Sequence, residues 1–547
     1  MILLAILGCD GEGLFQDNGG GDEIMSIRVE PPEVRVETGE EAPAEVEFVA
    51  VATFGDGSER ELDLVAWESS NHSAGTIDDD GDFISRTTNG GVATITANHV
   101  GIEGTATVTV VYVDSWINGD LPGIAEAFDE ATPASGGPDI TYPYDELRVP
   151  RNLEGLRFFW EGADDVVSRL RLQSVITDMS VYTEGSDWTL DSDIWELIAA
   201  SNREGHVTVN VTSGSWNGSS LTDVKVGGDL SMTVNRFDAR GSVVYWSTAD
   251  TAIMRIPFGE LEASIFFAPE SGNCVGCHVL SNERDRMVVT HDGPSGRFQV
   301  INVADPDDPT EAVGTDDDRR ATFKALHPEG SYMIASDAGQ LHLYQLWDGL
   351  KVRTYDDDYI TQPDFHPDGD ELVAVRVVSG HKDEFTFQQG EIVKASFDLE
   401  TGDLGSWEVL VASDGTNNRY YPSYSPDGAW IAFNKAQGSA YANIQARLAL
   451  VKSDGSIVID LDNANGEGAL QNSWPRWGPL PDDDVLWLAY SSRRAYPGQL
   501  PSTAPQLWVT GIDENLAEQG LDPSAAPFWL PAQDTQSDNH VPIWWEK

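Results

Sequence analysis

Tyr424-Ser425-Pro426-Asp427-Gly428-Ala429-Trp430-Ile431 is the stretch that decides the fold. A polar residue leads into a Pro-acidic-Gly turn, and an apolar strand position follows six residues on. The frame returns at Leu326-His327-Pro328-Glu329-Gly330-Ser331-Tyr332-Met333 and at Phe365-His366-Pro367-Asp368-Gly369-Asp370-Glu371-Leu372. Working outward, Trp474-Pro475-Arg476-Trp477-Gly478-Pro479 opens a further copy, continued by Leu486-Trp487-Leu488-Ala489-Tyr490. Leu280-Ser281-Asn282-Glu283-Arg284-Asp285-Arg286-Met287 fits the same frame with a degenerate turn. A proline three residues before the turn recurs at Pro363 and Pro422. β-patterned text repeating every ~40–60 residues reads as propeller blades.

The two ends of this region complete each other. Asn539-His540-Val541-Pro542-Ile543-Trp544-Trp545 supplies only a first blade strand, whereas Ser242–Thr248 and Ala252–Ile256 read as second and third strands lacking a first. Joining them closes the ring and removes both free sheet edges. First strands are then expected near residues 278, 324, 363, 422, 475 and 542, giving six blades. These repeats resemble the Ser-Pro-Asp-Gly blades of TolB-like six-bladed propellers.

Upstream, residues 25–113 alternate at period two through "IRVEPPEVRVETG", "AEVEFVAVATFGDG" and "GTATVTVVYV". Phe54-Gly55-Asp56-Gly57-Ser58, Trp67-Glu68-Ser69-Ser70-Asn71 and Thr105-Ala106-Thr107-Val108-Thr109-Val110 resemble the bacterial group-2 immunoglobulin-like repeat, which makes Trp67 a core tryptophan. Residues 114–139 read as a linker. Residues 140–238 read as a second β-sandwich, loosely fibronectin III- or immunoglobulin-like, with one helical stretch at "DSDIWELIAASN". The expectation is therefore an all-β chain: a leader and spacer (1–24), an Ig-like sandwich, a linker, a second sandwich, and a propeller over 239–547 closed by the C-terminal strand.

Composition sets the surroundings. The 547 residues are 40% hydrophobic with 17 Trp, enough for real cores, and the formal net charge is −58. That field repels nucleic acid and anionic headgroups, so neither is an expected partner. The acidic runs Asp78-Asp79-Asp80-Gly81-Asp82 and Asp305-Pro306-Asp307-Asp308 lack full EF-hand spacing and read as turns.

Three cysteines remain to be placed. Ile6-Leu7-Gly8-Cys9, followed by a Gly-rich polar spacer, resembles the lipobox of bacterial lipoproteins, whose cysteine carries the lipid. It departs from a full signal peptide in having no Lys or Arg before the apolar run. The resemblance implies a periplasmic or cell-surface protein held to a bacterial membrane through Cys9. No later stretch approaches the ~20 apolar residues of a spanning helix.

The other two form Cys274-Val275-Gly276-Cys277-His278, the attachment run of a c-type haem. Two thiols at i and i+3 reach the haem vinyl groups, and the adjacent imidazole reaches iron. A Cys274–Cys277 disulfide and half a zinc site are the rival readings, although no second Cys pair completes a Cys₄ cluster. No helical cytochrome domain surrounds the run, so one haem c is expected on a loop (271–280) entering the propeller. This arrangement resembles cytochrome-like bacterial lipoproteins. His278 is the proximal ligand; His540 is the distal candidate by its place in the aligned strands, with Met287 and His291 as alternatives. Met287 stands at the frame position of Met333, Leu372 and Ile431, which also suits blade core.

Two functions follow. One is electron transfer by a lipid-anchored monohaem protein, with a redox protein or a cell-surface protein as partner. The other is a surface binding or scaffold protein in which haem is structural or sensory. No Gly-x-Ser-x-Gly elbow and no His-Glu-x-x-His occurs, so a carrier is expected before an enzyme.

Overall fold

The computed structural model describes residues 23–547 except 41, 163–165, 270–274, 282–284, 292, 294–295, 317–318, 357–358, 380–382, 483–484 and 497–503. Cys9 and Cys274 therefore lie outside the described residues. The architecture is all-β, and the chain divides into two compact units, Met1–Ser115 with Val175–Met179, and Trp116–Ser174 with Ser180–Lys547.

The first unit is a sandwich built by alternation. Ile24–Glu30 pairs with Val49–Phe54, which pairs with Glu59–Glu61. Glu45–Glu47, Asp82–Ser85 and Gly75–Ile77 make a second sheet. Gly91–His99 pairs with Ile102–Asn118 on one side and Ala66–Ser69 on the other. Every second residue of Gly91–His99 turns inward, so Ala93, Ile95 and Ala97 join Phe48, Phe83 and Val108 in one apolar core. Trp67 packs against that core, as its place in the sequence suggested. The acidic run is a turn: Asp78 Oδ1 accepts from the backbone N–H of Asp80 and of Asp82, both at 3.0 Å.

In the second unit, part of the stretch read as linker is helical. Ile124–Glu130 buries Ile124 and Phe128 against Val167 and Tyr182. The expected helical stretch is Ser192–Ser201, whose Ile194, Trp195 and Ile198 face inward. Phe159 and Trp160 are buried core residues, and the Trp160 indole donates to Ser168 Oγ at 3.2 Å. Tyr142 OH accepts from the backbone N–H of Trp529 at 3.0 Å, fastening this β region to the propeller.

Six sheets form the propeller. We number them I to VI, with first strands Asn539–Trp545, Val275–Ser281, Lys324–Leu326, Ile360–Phe365, Asn417–Tyr424 and Ser473–Trp477. Blade I is composite. The C-terminal strand pairs antiparallel with Ser242–Ser247, followed by Ala252–Pro257 and Ser264–Phe267. The turns behave as their residues require: Gly330, Gly369 and Gly428 hold φ of 74°, 78° and 75°, a left-handed conformation that glycine adopts at little cost.

Candidate functional site in the propeller channel

Each blade except III bends its first strand with one left-handed residue. These are Cys277 (φ 46°), Gln362 (53°), Tyr421 (52°), Trp474 (59°) and Val541 (50°). The pairing register shifts at the same places, between Gly276 and Val279, Thr361 and Asp364, Tyr420 and Ser423, and Ser473 and Arg476. In blades IV, V, VI and I the next residue is a proline, Pro363, Pro422, Pro475 and Pro542. Proline has no N–H to give a ladder, so a bulge is where a sheet tolerates it. The bulge resets the alternation of side chains, and all five left-handed residues line one recess on the propeller axis.

The residues after the bend break the proline pattern in two adjacent blades. His278 takes the position in blade II and Lys324 the equivalent one in blade III. The first strand expected near residue 278 is present, but it already starts at Val275, inside the loop expected over 271–280. Val275–Ser281 is the first strand of blade II, because Val275, Val279 and Leu280 pair with Arg286–His291.

His278 is 1% exposed. Its Nε2 lies 3.1 Å from the carbonyl of Val244, so that nitrogen carries the proton. Nδ1 is buried without a hydrogen-bond partner. Burial pushes the group down to about 4, keeping the imidazole neutral at physiological pH. A neutral imidazole with one nitrogen on a backbone carbonyl and the other bare is the donor state that iron requires. Lys324 is 5% exposed and donates from Nζ to Thr290 Oγ1 at 2.7 Å. Burial pushes it down to about 8, against a smaller upward pull from Cys277.

Cys277 borders two spaces. One is the axial recess of ≈30 Å³ shared with His278, Lys324 and Arg476. The other is a cavity of ≈530 Å³ shared with Trp246, Trp474, Arg493 and His540. The second falls within the ~300–1,000 Å³ usual for small-molecule and cofactor sites. His540 thus shares the larger cavity with Cys277, while His278 borders the smaller recess. The His540 ring stacks on Trp246 with centroids 5.7 Å apart and planes at 26°. Its Nε2 is 3.7 Å from Asp538, and burial pushes its pKa down.

The two alternative ligands lie elsewhere. Met287 is fully buried in the apolar core with Val244, Ile253, Val275 and Trp545, so its frame position made it core. His291 Nε2 is 2.8 Å from Gln299 Oε1 at a 7%-exposed site. Neither lines the cavity. Sequence reasoning missed Lys324, although Ala321-Thr322-Phe323-Lys324 aligns with Ile360-Thr361-Gln362-Pro363 and marks the proline replacement. It also missed Gln471 and Arg493, which no local pattern distinguishes.

Comparison with known proteins gives likenesses of shape. No protein-family model matches the chain. No curated protein matches it in sequence. Among solved structures, a putative TolB from Agrobacterium tumefaciens is 17% identical, covering 53% of this chain and 90% of its own, at a TM-score of 0.34. An auxiliary nutrient binding protein from Bacteroides thetaiotaomicron is 13% identical over 63% of this chain and 88% of its own, at 0.29. An oligogalacturonate lyase from Vibrio parahaemolyticus is 17% identical over 51% and 73%, also at 0.29. The propeller assignment rests on the six sheets themselves.

Proposed function

We propose that the chain is an exported monohaem c-type protein that passes single electrons, tethered to a bacterial membrane through a lipid on Cys9. The observation that carries this reading is the placement of Cys277. It stands in a Cys-x-x-Cys-His run and opens onto a cofactor-sized cavity whose wall includes a second histidine, His540.

The donor chemistry fits haem. Cys274 and Cys277 would be the thioether positions and His278 the proximal ligand; its Nε2 is held on the Val244 carbonyl and its ring borders the small recess, so the side chain would turn to meet a haem in the larger cavity. His540 is the distal candidate, positioned by its stack on Trp246. A bound haem supplies a one-electron ferric/ferrous couple. The protein supplies attachment, ligands and aromatic walls that hold water back.

Expression with a c-haem maturation system is expected to give red protein with haem mass added, and Cys274→Ala with Cys277→Ser to abolish both. Colourless protein of unmodified mass overturns the reading. A reversible six-coordinate couple supports electron transfer. An open coordination site instead favours the second reading, a surface binding protein whose haem senses or stabilises.

A further inference from the structure

We propose that Arg493, Gln471 and Trp246 form a carboxylate-recognising rim on the ≈530 Å³ cavity, set against an apolar floor that takes a flat ring system. The identity of the occupant rests on the haem reading, under which the rim takes the propionate edge; the recognition chemistry does not.

Aromatic side chains dominate the walls. Phe385, Tyr441 and Trp474 line the cavity together with the Trp246–His540 stack. Trp474 is braced from behind by Tyr421, with ring centroids 3.7 Å apart and planes at 17°. Such surfaces favour a planar apolar body.

Three polar side-chain atoms on the same cavity are buried and unpaired: Trp246 Nε1, Arg493 Nε and Gln471 Oε1. An unmet buried hydrogen-bonding group is costly to keep. Trp246 Nε1, Arg493 Nε and Gln471 Oε1 share this one space, and a ligand there would complete all three. Gln471 is 8% exposed and held by its own backbone, whose N–H donates to Ile444 O at 3.0 Å with φ at 51°. Turning its amide presents Nε2 as a donor in the same place.

Charge decides what the ligand carries. Arg493 is the one Lys or Arg among the described residues lining the cavity. It stands in a chain of net charge −58, where acidic partners abound, yet its Nε has none. The carboxylate in the same wall, Asp538, lies beside His540 Nε2 at 3.7 Å. A guanidinium edge with an indole N–H and an amide N–H matches the planar two-oxygen face of a carboxylate.

The test uses full-length Cys274→Ser/Cys277→Ser protein, which cannot tether haem, titrated with iron-free protoporphyrin and with its dimethyl ester. Tryptophan quenching reports binding. The diacid is expected to bind at least tenfold tighter than the diester, and Arg493→Gln to bring that ratio close to one. Gln471→Leu is expected to lower it part-way, covering the case in which the arginine variant fails to fold. Equal affinities, no binding of either probe, or an unchanged ratio in both variants overturns the rim. The mass of the wild-type protein decides the haem reading separately. Unmodified wild type with intact discrimination leaves the rim standing, with a free carboxylate-bearing ligand as occupant. Haem-loaded wild type without discrimination removes the rim and leaves the haem.

Discussion

The indole N–H of Trp545 donates to the carbonyl of Ser281 at 3.3 Å, joining the closing strand of blade I to the strand that carries Cys277 and His278. Trp545 is fully buried among Val244, Phe266, Val275 and Met287, so it fastens the ring by packing as much as by this bond.

Trp545→Ala is therefore expected to cost about 3–5 kcal/mol, the range for truncating a large buried aromatic. Removing residues 539–547 should abolish cooperative melting of the propeller, since blade I loses its first strand. Thermal unfolding followed by near-UV circular dichroism checks both. A Trp545→Ala melting temperature equal to wild type contradicts the closure as a source of stability.

In haem-loaded protein, His540→Ala is expected to convert a low-spin spectrum to high-spin or to open a site for carbon monoxide. Met287→Leu should leave the spectrum alone, because that side chain fills the blade core. If the methionine change alone produces the conversion, His540 is not the distal ligand.

Lys324 gives a pH signature in the Cys274→Ser/Cys277→Ser protein. In the wild-type chain its pKa falls from 10.5 to about 8 on folding, and losing the upward pull of Cys277 keeps it down, so the fold favours the neutral amine. That contribution is present above pH ~10.5 and is lost as pH falls toward ~8. Lys324→Met should consequently stabilise by about 2–3 kcal/mol at pH 7, with the gain shrinking by pH 10. Urea titrations at the two pH values measure it. A gain independent of pH would mean that charge burial is not its source.

Glu384 works in the opposite sense. It is 5% exposed, and burial raises its pKa above 4.5 despite hydrogen bonds from Ser336 and Thr322. The fold favours the protonated acid, so stability present below pH ~4.5 is lost as pH rises. Glu384→Gln is expected to raise the melting temperature at pH 7 and to have little effect at pH 4. Destabilisation at pH 7 would show that the ionised carboxylate is needed there.

The lipid anchor is checked by detergent partitioning of the full gene product. Cys9→Ser should move the protein to the aqueous phase; unchanged partitioning argues against the lipobox.

The blades were legible because their turns are chemically narrow. Pro-acidic-Gly needs a left-handed glycine, and Gly369 and Gly428 mark it in plain text. Ring closure was legible because Ser242–Ser247 and Ala252–Pro257 had no first blade strand before them in sequence. The helix Ile124–Glu130 was obscured by its brevity and by flanking Pro and Gly. The strand near residue 278 was legible from the blade frame, but its start at Val275 was not, since the Cys-x-x-Cys-His run suggested a loop. Arg493, Gln471 and Trp246 meet only because the chain returns on itself, and no local periodicity encodes that convergence.

The composite blade also sets a clock. Val541 walls the same axial recess as His278, yet it leaves the ribosome more than 260 positions later. At about 5–20 residues per second that interval is on the order of tens of seconds. Any group that must reach the His278 imidazole meets an unclosed ring during that time. A chain that closes its ring encloses the His278 imidazole, which is 1% exposed in the finished fold.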